Sequence, residues 1–344
     1  MKQVVVGGCG FIGYNLCLNL LEQGNEIIVL DNLSRKGSAR NLVSLQEQYK
    51  SLVKFDQCDI RHDIQLMSGH FANADVIYQL AGQVAVTTSV VDPRQDFEIN
   101  ARGTFNVLEA MRASHSKAIL IYASTNKVYG GMEEIRIASN ETAYYYQDYP
   151  NGISEGQQLD FHSPYGCSKG AAEQYVRDYS RIYDLRTICF RQSCIYGPNQ
   201  FGIEDQGWVA WFTIAACYNK QIYIYGDGKQ VRDVLHVNDL IDAYQLGISH
   251  IAKTNGQIYN IGGGPSNVSS LLRLLGMLEK NLDRKIPYKF SDWRPGDQAV
   301  YISDITKFTT ATGWRPRISF EQGLHSLIEW TRANHEALQS VGII

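Results

Sequence analysis

The sequence predicts an α/β fold, a Rossmann-type doubly wound parallel sheet, and three observations carry that prediction. Strand-like apolar runs alternate with helical apolar stripes across residues 1–190, the order that a parallel sheet with covering helices requires. Gly7, Gly10 and Gly13 separate the first apolar run from the first helical stripe. Asp31 closes the second apolar run. Strand, glycine turn, helix, strand and acid in this order form a dinucleotide-binding unit. The glycines let a pyrophosphate approach the helix N-terminus, and the acid accepts hydrogen bonds from an adenosine ribose.

The elements follow in order. Val4 to Val6 is a short apolar run suited to a strand buried on both faces. Leu16, Leu20 and Leu21 lie on one helical stripe that stops at Gly24, and Glu26 to Leu30 is the next strand. Strands are predicted at 2–6, 26–30, 52–56, 75–80, 117–122 and 185–190, and helices at 11–23, 62–70, 94–114 and 166–183. Residues 131–163 break the pattern with a polar stretch rich in Gly, Asn and Tyr, whose length points to a functional loop. From about residue 192 the spacing is less regular, and Gly226-Asp-Gly228, Gly262-Gly-Gly-Pro265 and Trp293-Arg-Pro-Gly296 mark loops. The expected division is a dinucleotide-binding domain at 1–190 and a smaller C-terminal substrate-binding lobe at 191–344.

At 344 residues the chain can bury a large core. Its net charge of −3, with no basic stripe and no long like-charge block, argues against nucleic acid as a partner. Seven cysteines, an odd number without a Cys-x-x-Cys pair, read as reduced thiols in a cytoplasmic protein. No apolar run has membrane length, no leader pattern is present, and no His/Cys/Asp set has metal spacing.

Tyr165 and Lys169 stand four residues apart in Ser163-Pro-Tyr-Gly-Cys-Ser-Lys169, so on a helix a phenol and an ammonium share a face. The ammonium favours the phenolate, and the tyrosine pKa is expected to fall toward the working pH. A phenol tuned this way takes a proton from a substrate hydroxyl while hydride leaves the same carbon.

The glycine triplet with Tyr-x3-Lys resembles the extended short-chain dehydrogenase/reductase family over nearly the whole chain. Further resemblances are Ala81-Gly-Gln83, Asn100 within Glu98-Ile-Asn-Ala-Arg-Gly-Thr104, Val128-Tyr-Gly130, Val231 to Val237, and Arg294-Pro295-Gly296-Asp297. Segments Asp31–Gly37, Ala81–Ser89, Ser124–Gly130, Pro150–Gly152, Leu159–Tyr165, Asp205–Trp208 and Gly228–Asp233 are similar to the CDP-tyvelose (CDP-paratose) 2-epimerases within that family. The resemblance implies tightly held NAD, inversion at C2 of a nucleotide-linked hexose, a homodimer or homotetramer, and a chain that returns to the first domain within 235–262. It also implies roles for particular residues. Thr125, with Ser124 beside it, is the hydroxyl partner of Tyr165 and Lys169. Gly7, Gly10, Phe11, Ile12, Gly13, Asp31, Asn32, Ser34, Arg35, Asp59, Ile60, Leu80, Ala81, Gln83 and Asn100 hold the cofactor together with Tyr165 and Lys169. Thr87, Asn126, Ser193, Gln206, Arg232 and Arg294 contact the nucleotide sugar.

Departures from related patterns sharpen the expectation. Sugar-nucleotide 4,6-dehydratases resemble this chain but carry Asp-Glu where it has Asn126-Lys127, and an amide with an ammonium cannot supply the acid and base of elimination. Ser193 stands where many relatives have Asn. Arg35 and Lys36 lie near enough to Asp31 to meet a 2′-phosphate, but the carboxylate repels that group and favours NAD. His236 reads as structural and His162 as part of a pocket wall. A UDP-hexose 4-epimerase has the same chemistry at another carbon, and only resemblance separates the two. A catalytically silent NAD-binding regulator would tolerate loss of the Tyr/Lys pair, which this chain keeps.

Overall fold

The structure, a computed structural model, describes residues 1–294 and 296–344. The chain forms two compact units. The first comprises Met1–Val128, Ser163–Arg191 and Ile241–Tyr259, and the second Tyr129–His162, Gln192–Leu240 and Asn260–Ile344. Segment 129–162, expected in the first domain, thus groups with the second.

The first unit is built on seven strands: β1 (Lys2–Val6), β2 (Glu26–Asp31), β3 (Val53–Gln57), β4 (Val76–Gln79), β5 (Ile119–Thr125), β6 (Arg186–Gln192) and β7 (Gln257–Ile261). They lie in the order β3-β2-β1-β4-β5-β6-β7. Val4 sits opposite Ile28 on one side and Ile77 on the other, and Ile77 opposite Leu120, all in parallel register. The sheet winds one way from β1 to β3 and the other way from β4, so a topological switch point falls between β1 and β4. Ligands of open α/β sheets bind outside the carboxyl ends of the strands at such a point.

Val4, Val5 and Val6 are all buried, because helices cover both faces. On one face Val4, Val6, Ile77, Leu120 and Tyr122 pack with Met67 and Phe71 of helix Ile64–Phe71, Val107 and Met111 of helix Gly103–Ala113, and Ala172 and Val176 of helix Ser163–Ile182. On the other, Tyr78 and Phe190 meet Tyr244, with ring centroids 6.1 and 5.3 Å away. Gln245 beside it donates to Asn19 of helix Phe11–Glu22 at 2.7 Å.

Three elements differ from expectation. Helix Ser38–Tyr49 was not foreseen, because its buried stripe of Ser38, Asn41, Leu42 and Leu45 is half polar. The helix expected over 94–114 runs continuously from Pro93 to Ala113, with a π-helical turn at Glu98–Arg102 inside it. Helix Ser163–Ile182 begins before Tyr165, with Pro164 tolerated in its first turn.

The second unit has its own core. Val209, Phe212 and Ala216 of helix Trp208–Cys217 pack with Leu274 and Leu278 of helix Leu271–Leu282 and Leu324 and Leu327 of helix Phe320–Ala333. Strand Val231–His236 pairs with Cys194–Tyr196, Val268–Ser270 and Val300–Tyr301. Within 131–163 the chain makes an antiparallel hairpin, Ile137–Ser139 with Tyr144–Tyr146. Its tyrosines are anchored: Tyr144 donates to Asp227 at 2.6 Å and Tyr146 to the Val300 carbonyl at 2.9 Å.

One ion pair lies wholly inside the first unit. Arg191 donates to Glu173 at 2.9 and 2.6 Å, and the two side chains are 4% and 0% exposed. Removing one member of a buried pair strands the other charge. Arg191→Ala is therefore expected to destabilise the fold by about 3–5 kcal/mol, read as a lowered midpoint in urea denaturation.

Candidate active site

The glycine turn is closed by contact with the sheet and the helix that follows. Gly7 has φ +81°, and a Cβ there would lie 2.5 Å from the Ala81 amide nitrogen. A Cβ on Gly13 would fall on the Gly7 carbonyl oxygen and lie 2.7 Å from Gly8 Cα, so helix Phe11–Glu22 packs directly on the turn. Gly10 caps this 12-residue helix without a side-chain acceptor, and its first turn holds no acidic residue. The amides of Phe11, Ile12 and Gly13 thus form an uncapped positive end, which suits a pyrophosphate.

At the end of β2 the Asp31 carboxylate accepts the Cys9 amide at 2.9 Å and the Leu33 amide at 2.8 Å. Burial pushes its pKa up, while these two bonds and the charge of Arg35 pull it down. Both oxygens keep acceptor capacity for ribose hydroxyls. Asn32 donates to Asp59 at 3.1 Å and accepts the Ser34 amide at 3.1 Å. Arg61 grips both Asp59 oxygens at 3.0 and 2.7 Å and holds that carboxyl well below its usual range. The Ile60 carbonyl accepts from Asn106 at 2.9 Å. Leu80 and Ala81 lie against Gly7, and Gln83 and Asn100 exchange hydrogen bonds of 2.9 and 3.0 Å. The residues expected to hold a dinucleotide therefore gather at the carboxyl ends of β1 to β4 and around the loops that follow. Uncapped helix end, close-packed turn and buried acid fit such a ligand.

Beyond β5, the proton-transfer residues meet on helix Ser163–Ile182. The Thr125 hydroxyl accepts the Lys127 amide at 3.2 Å and lies near enough to the Tyr165 phenol to lower its pKa. Lys169 donates to the Ala123 carbonyl and stands 4.4 Å over the Tyr122 ring. Tyr165 and Lys169 are only 8% and 7% exposed, and this burial reverses the expected acidity of the phenol. Desolvation pushes Tyr165 up to about 12, with the Thr125 bond and Arg35 opposing and Asp96 adding to the rise. Desolvation also lowers Lys169 to about 8. In a poorly solvated setting each group loses its charged form first.

The two hydroxyls at the end of β5 have different partners. Ser124 donates to Glu173 at 2.7 Å and so belongs to the buried ion pair, whereas Thr125 faces the phenol. Asn126 is buried beside Thr125, 3.4 Å from its hydroxyl. Thr87 carries a buried hydroxyl oxygen with no hydrogen-bond partner in the protein. It lies on helix Val86–Val91, where Ser89 accepts the Tyr165 amide at 3.2 Å. Sequence reasoning passed over Asp96, Ser168 and Glu173, all buried near the pair. Their spacing carried a signal, since Tyr165, Lys169 and Glu173 follow at four-residue intervals, as do Asp96 and Asn100.

In the second unit Arg232 donates to Asp297 at 2.6 Å and to the Val231 carbonyl at 2.8 Å. Arg294 pairs with Asp205 at 2.9 Å and stacks 3.8 Å from the centre of the Tyr225 ring. Gln206 and Ile203 exchange backbone bonds of 2.9 and 3.0 Å in a tight turn. Ser193 donates to both the carbonyl and the carboxylate of the buried Asp233. Pro295, within the expected phosphate-contact motif, lies outside the described residues. His236 is buried edge-on to Tyr196, and burial lowers its pKa to about 4. Among the described residues no group of His, Cys, Asp and Glu has a metal-binding arrangement.

Residues 4–327 match the family model described as GDP-mannose 4,6 dehydratase. The chain is 46% identical to a CDP-paratose 2-epimerase of Salmonella typhi over 340 residues, covering 96% of this chain and 99% of that one. A UDP-glucose 4-epimerase from Thermotoga maritima, solved with UDP-glucose, superposes with TM-score 0.83 at 29% identity, over 97% of this chain and 100% of that one. A dTDP-glucose 4,6-dehydratase from Streptomyces venezuelae, solved with NAD, gives 0.85 at 27% identity over 99% and 100%. The glycine turn, the Tyr165–Lys169 pair and these full-length matches place the chain in the extended short-chain dehydrogenase/reductases, as a member of the GDP-mannose 4,6 dehydratase family.

Proposed function

We propose that the chain is an NAD-dependent epimerase that inverts C2 of a nucleotide-diphosphate hexose of the CDP-paratose/CDP-tyvelose type through a transient 2-keto sugar. The observation that carries the choice of carbon is the 46% identity, over nearly all of both chains, with a CDP-paratose 2-epimerase. The relative solved with NAD supports the cofactor. Asn126 and Lys127 argue against dehydration despite the family's description, because elimination needs an acid and a base that they cannot supply.

In this reading the first unit binds NAD and the second binds the sugar nucleotide. NAD, which the glycine turn and Asp31 would hold, would supply the acceptor and donor of the C2 hydride that epimerisation needs. Tyr165 takes the proton of the C2 hydroxyl and later gives it back, Thr125 orients that oxygen, Lys169 stands one helical turn on, and Arg35 provides positive charge for the phenolate. Arg232 and Arg294 hold the diphosphate. Thr87, with its unpartnered hydroxyl, and Asn126, Gln206 and Ser193 contact the nucleotide sugar. All seven cysteines are free, which supports a reduced, cytoplasmic setting, and we propose a homodimer or homotetramer. The second reading is a UDP-hexose 4-epimerase, supported by the likeness to the Thermotoga maritima enzyme.

An epimerase that returns each hydride gains nothing by releasing its cofactor. Acid-denatured protein is therefore expected to yield NAD without any having been added. Gly13→Ala, whose methyl would strike the Gly7 carbonyl, is expected to purify with little.

Tyr165→Phe keeps the ring and removes the proton carrier. It is expected to retain NAD and lose about 10²–10⁴-fold in turnover. Unaltered turnover in this variant removes Tyr165 from the base role.

Isotopes decide the carbon. Deuterium at C2 of the substrate is expected to slow turnover and to appear transiently in bound NADH, while deuterium at C4 does neither. The reverse result makes the chain a 4-epimerase.

A further inference from the structure

We infer that Asp96 is a positioning residue for the Tyr165–Lys169 pair, gripping the helical turn between them through Ser168 and serving as the counter-charge of the buried Lys169 ammonium. The inference rests on the epimerase reading, since it concerns the same proton transfer.

The geometry begins with a carboxylate buried to 1% exposure on the short helix Pro93–Phe97. Three donors converge on it: Ser168 Oγ at 2.5 Å on one oxygen, and Gln83 Nε2 at 3.0 Å and Asn100 Nδ2 at 3.1 Å on the other. Burial pushes its pKa up, while these three donors and the charge of Lys169 favour the ionised form. Ser168 is the residue before Lys169 and three after Tyr165, whose carbonyl it also approaches at 3.2 Å. The grip therefore falls on the one turn that carries both groups.

The charges around the pair single out Asp96. Lys169 faces Asp96, Cys189 and Glu173, with the Tyr122 ring beneath it. Glu173 is already matched by Arg191. Cys189 is buried and its thiol pKa lies well above the ordinary value, so it stays neutral. The carbonyl that accepts from Lys169 is also neutral. Asp96 is then the anion not matched by an arginine among those acting on Lys169. Tyr165 faces Arg35, which favours its phenolate, and Asp96, which opposes it. The same carboxylate thus holds protons on both members of the pair. Losing it lowers both affinities, and both limits of activity move toward acid.

The test is Asp96→Asn, which keeps the shape and removes the charge. Tyrosinate absorbance is titrated in this variant and in wild type, each against its own Tyr165→Phe counterpart, so the difference reports Tyr165 without substrate turnover. The Tyr165 transition is expected to move down by about one pH unit, and both limbs of the kcat–pH profile to move the same way. Unmoved titration and unmoved limbs overturn the inference, because a purely structural carboxylate would change stability only. Ser168→Ala is the second variant, removing the grip and leaving the charge. Its kcat is expected to fall about tenfold with KM and the Tyr165 titration unchanged. Wild-type kcat in Ser168→Ala overturns the grip, and does so even where Asp96→Asn fails to fold. Full turnover in Tyr165→Phe would instead remove Tyr165 from the base role, and the absence of any isotope effect at C2 would overturn the epimerase reading, while the titration would still decide Asp96.

Discussion

Burial of polar groups on one helix face governs the first unit. Helix Ser163–Ile182 turns Tyr165, Ser168, Lys169 and Glu173 inward, each less than a tenth exposed. Every one of them would cost several kcal/mol if left without a partner in the interior, on the order of 1–3 for a neutral group and more for a charge. The surrounding elements are placed so that none is. Thr125 at the end of β5 meets the phenol, Asp96 meets Ser168, the Ala123 carbonyl and the Tyr122 ring meet the ammonium, and Arg191 on β6 with Ser124 meets Glu173. The reactive groups and the stabilising ones therefore form a single buried polar layer. A change in one partner is felt by its neighbours through the shared helix.

This layer also explains why the phenol is not acidic in the protein by itself. A tyrosine four residues from a lysine reads as an activated base when only the pair is considered. Burial acts on both members at once, and it acts against charge on each. The position of equilibrium is then set by the fixed charges nearby, Arg35 on one side and Asp96 on the other.

Much of the fold was legible because its signals are local. The glycine turn, the apolar strands and Asp31 each reflect a constraint carried by a few adjacent residues, and β1, β2 and helix Phe11–Glu22 stand where their patterns put them, to within a residue. Tyr165, Lys169 and Thr125 were legible for the same reason, as spacing within a helix and position after a strand. What escaped was set by distant partners. Helix Ser38–Tyr49 has too few apolar residues to announce itself, and the π-helical turn at Glu98–Arg102 has no proline to mark it. The grouping of 129–162 with the second unit depends on bonds such as Tyr146 to Val300, 154 residues apart. The buried partners of Asp96 and Ser124, Ser168 and Glu173, are likewise distant in sequence.

The return of residues 241–259 to the first unit has a consequence for how the chain is made. Strand β7 and Tyr244, which caps Tyr78 and Phe190, come from sequence far beyond the rest of that sheet. During synthesis the early strands emerge and pair while one edge and part of one face still lack their cover. The unit closes only after some 260 residues have left the ribosome, by which time much of the second unit has also appeared. Folding is thereby tied to late, non-local contacts, which are slow to form and leave apolar surface open in the meantime. Neither unit corresponds to a continuous piece of the gene, so a chain cut after residue 190 has the glycine turn and the Tyr165–Lys169 pair but no complete sheet to hold them.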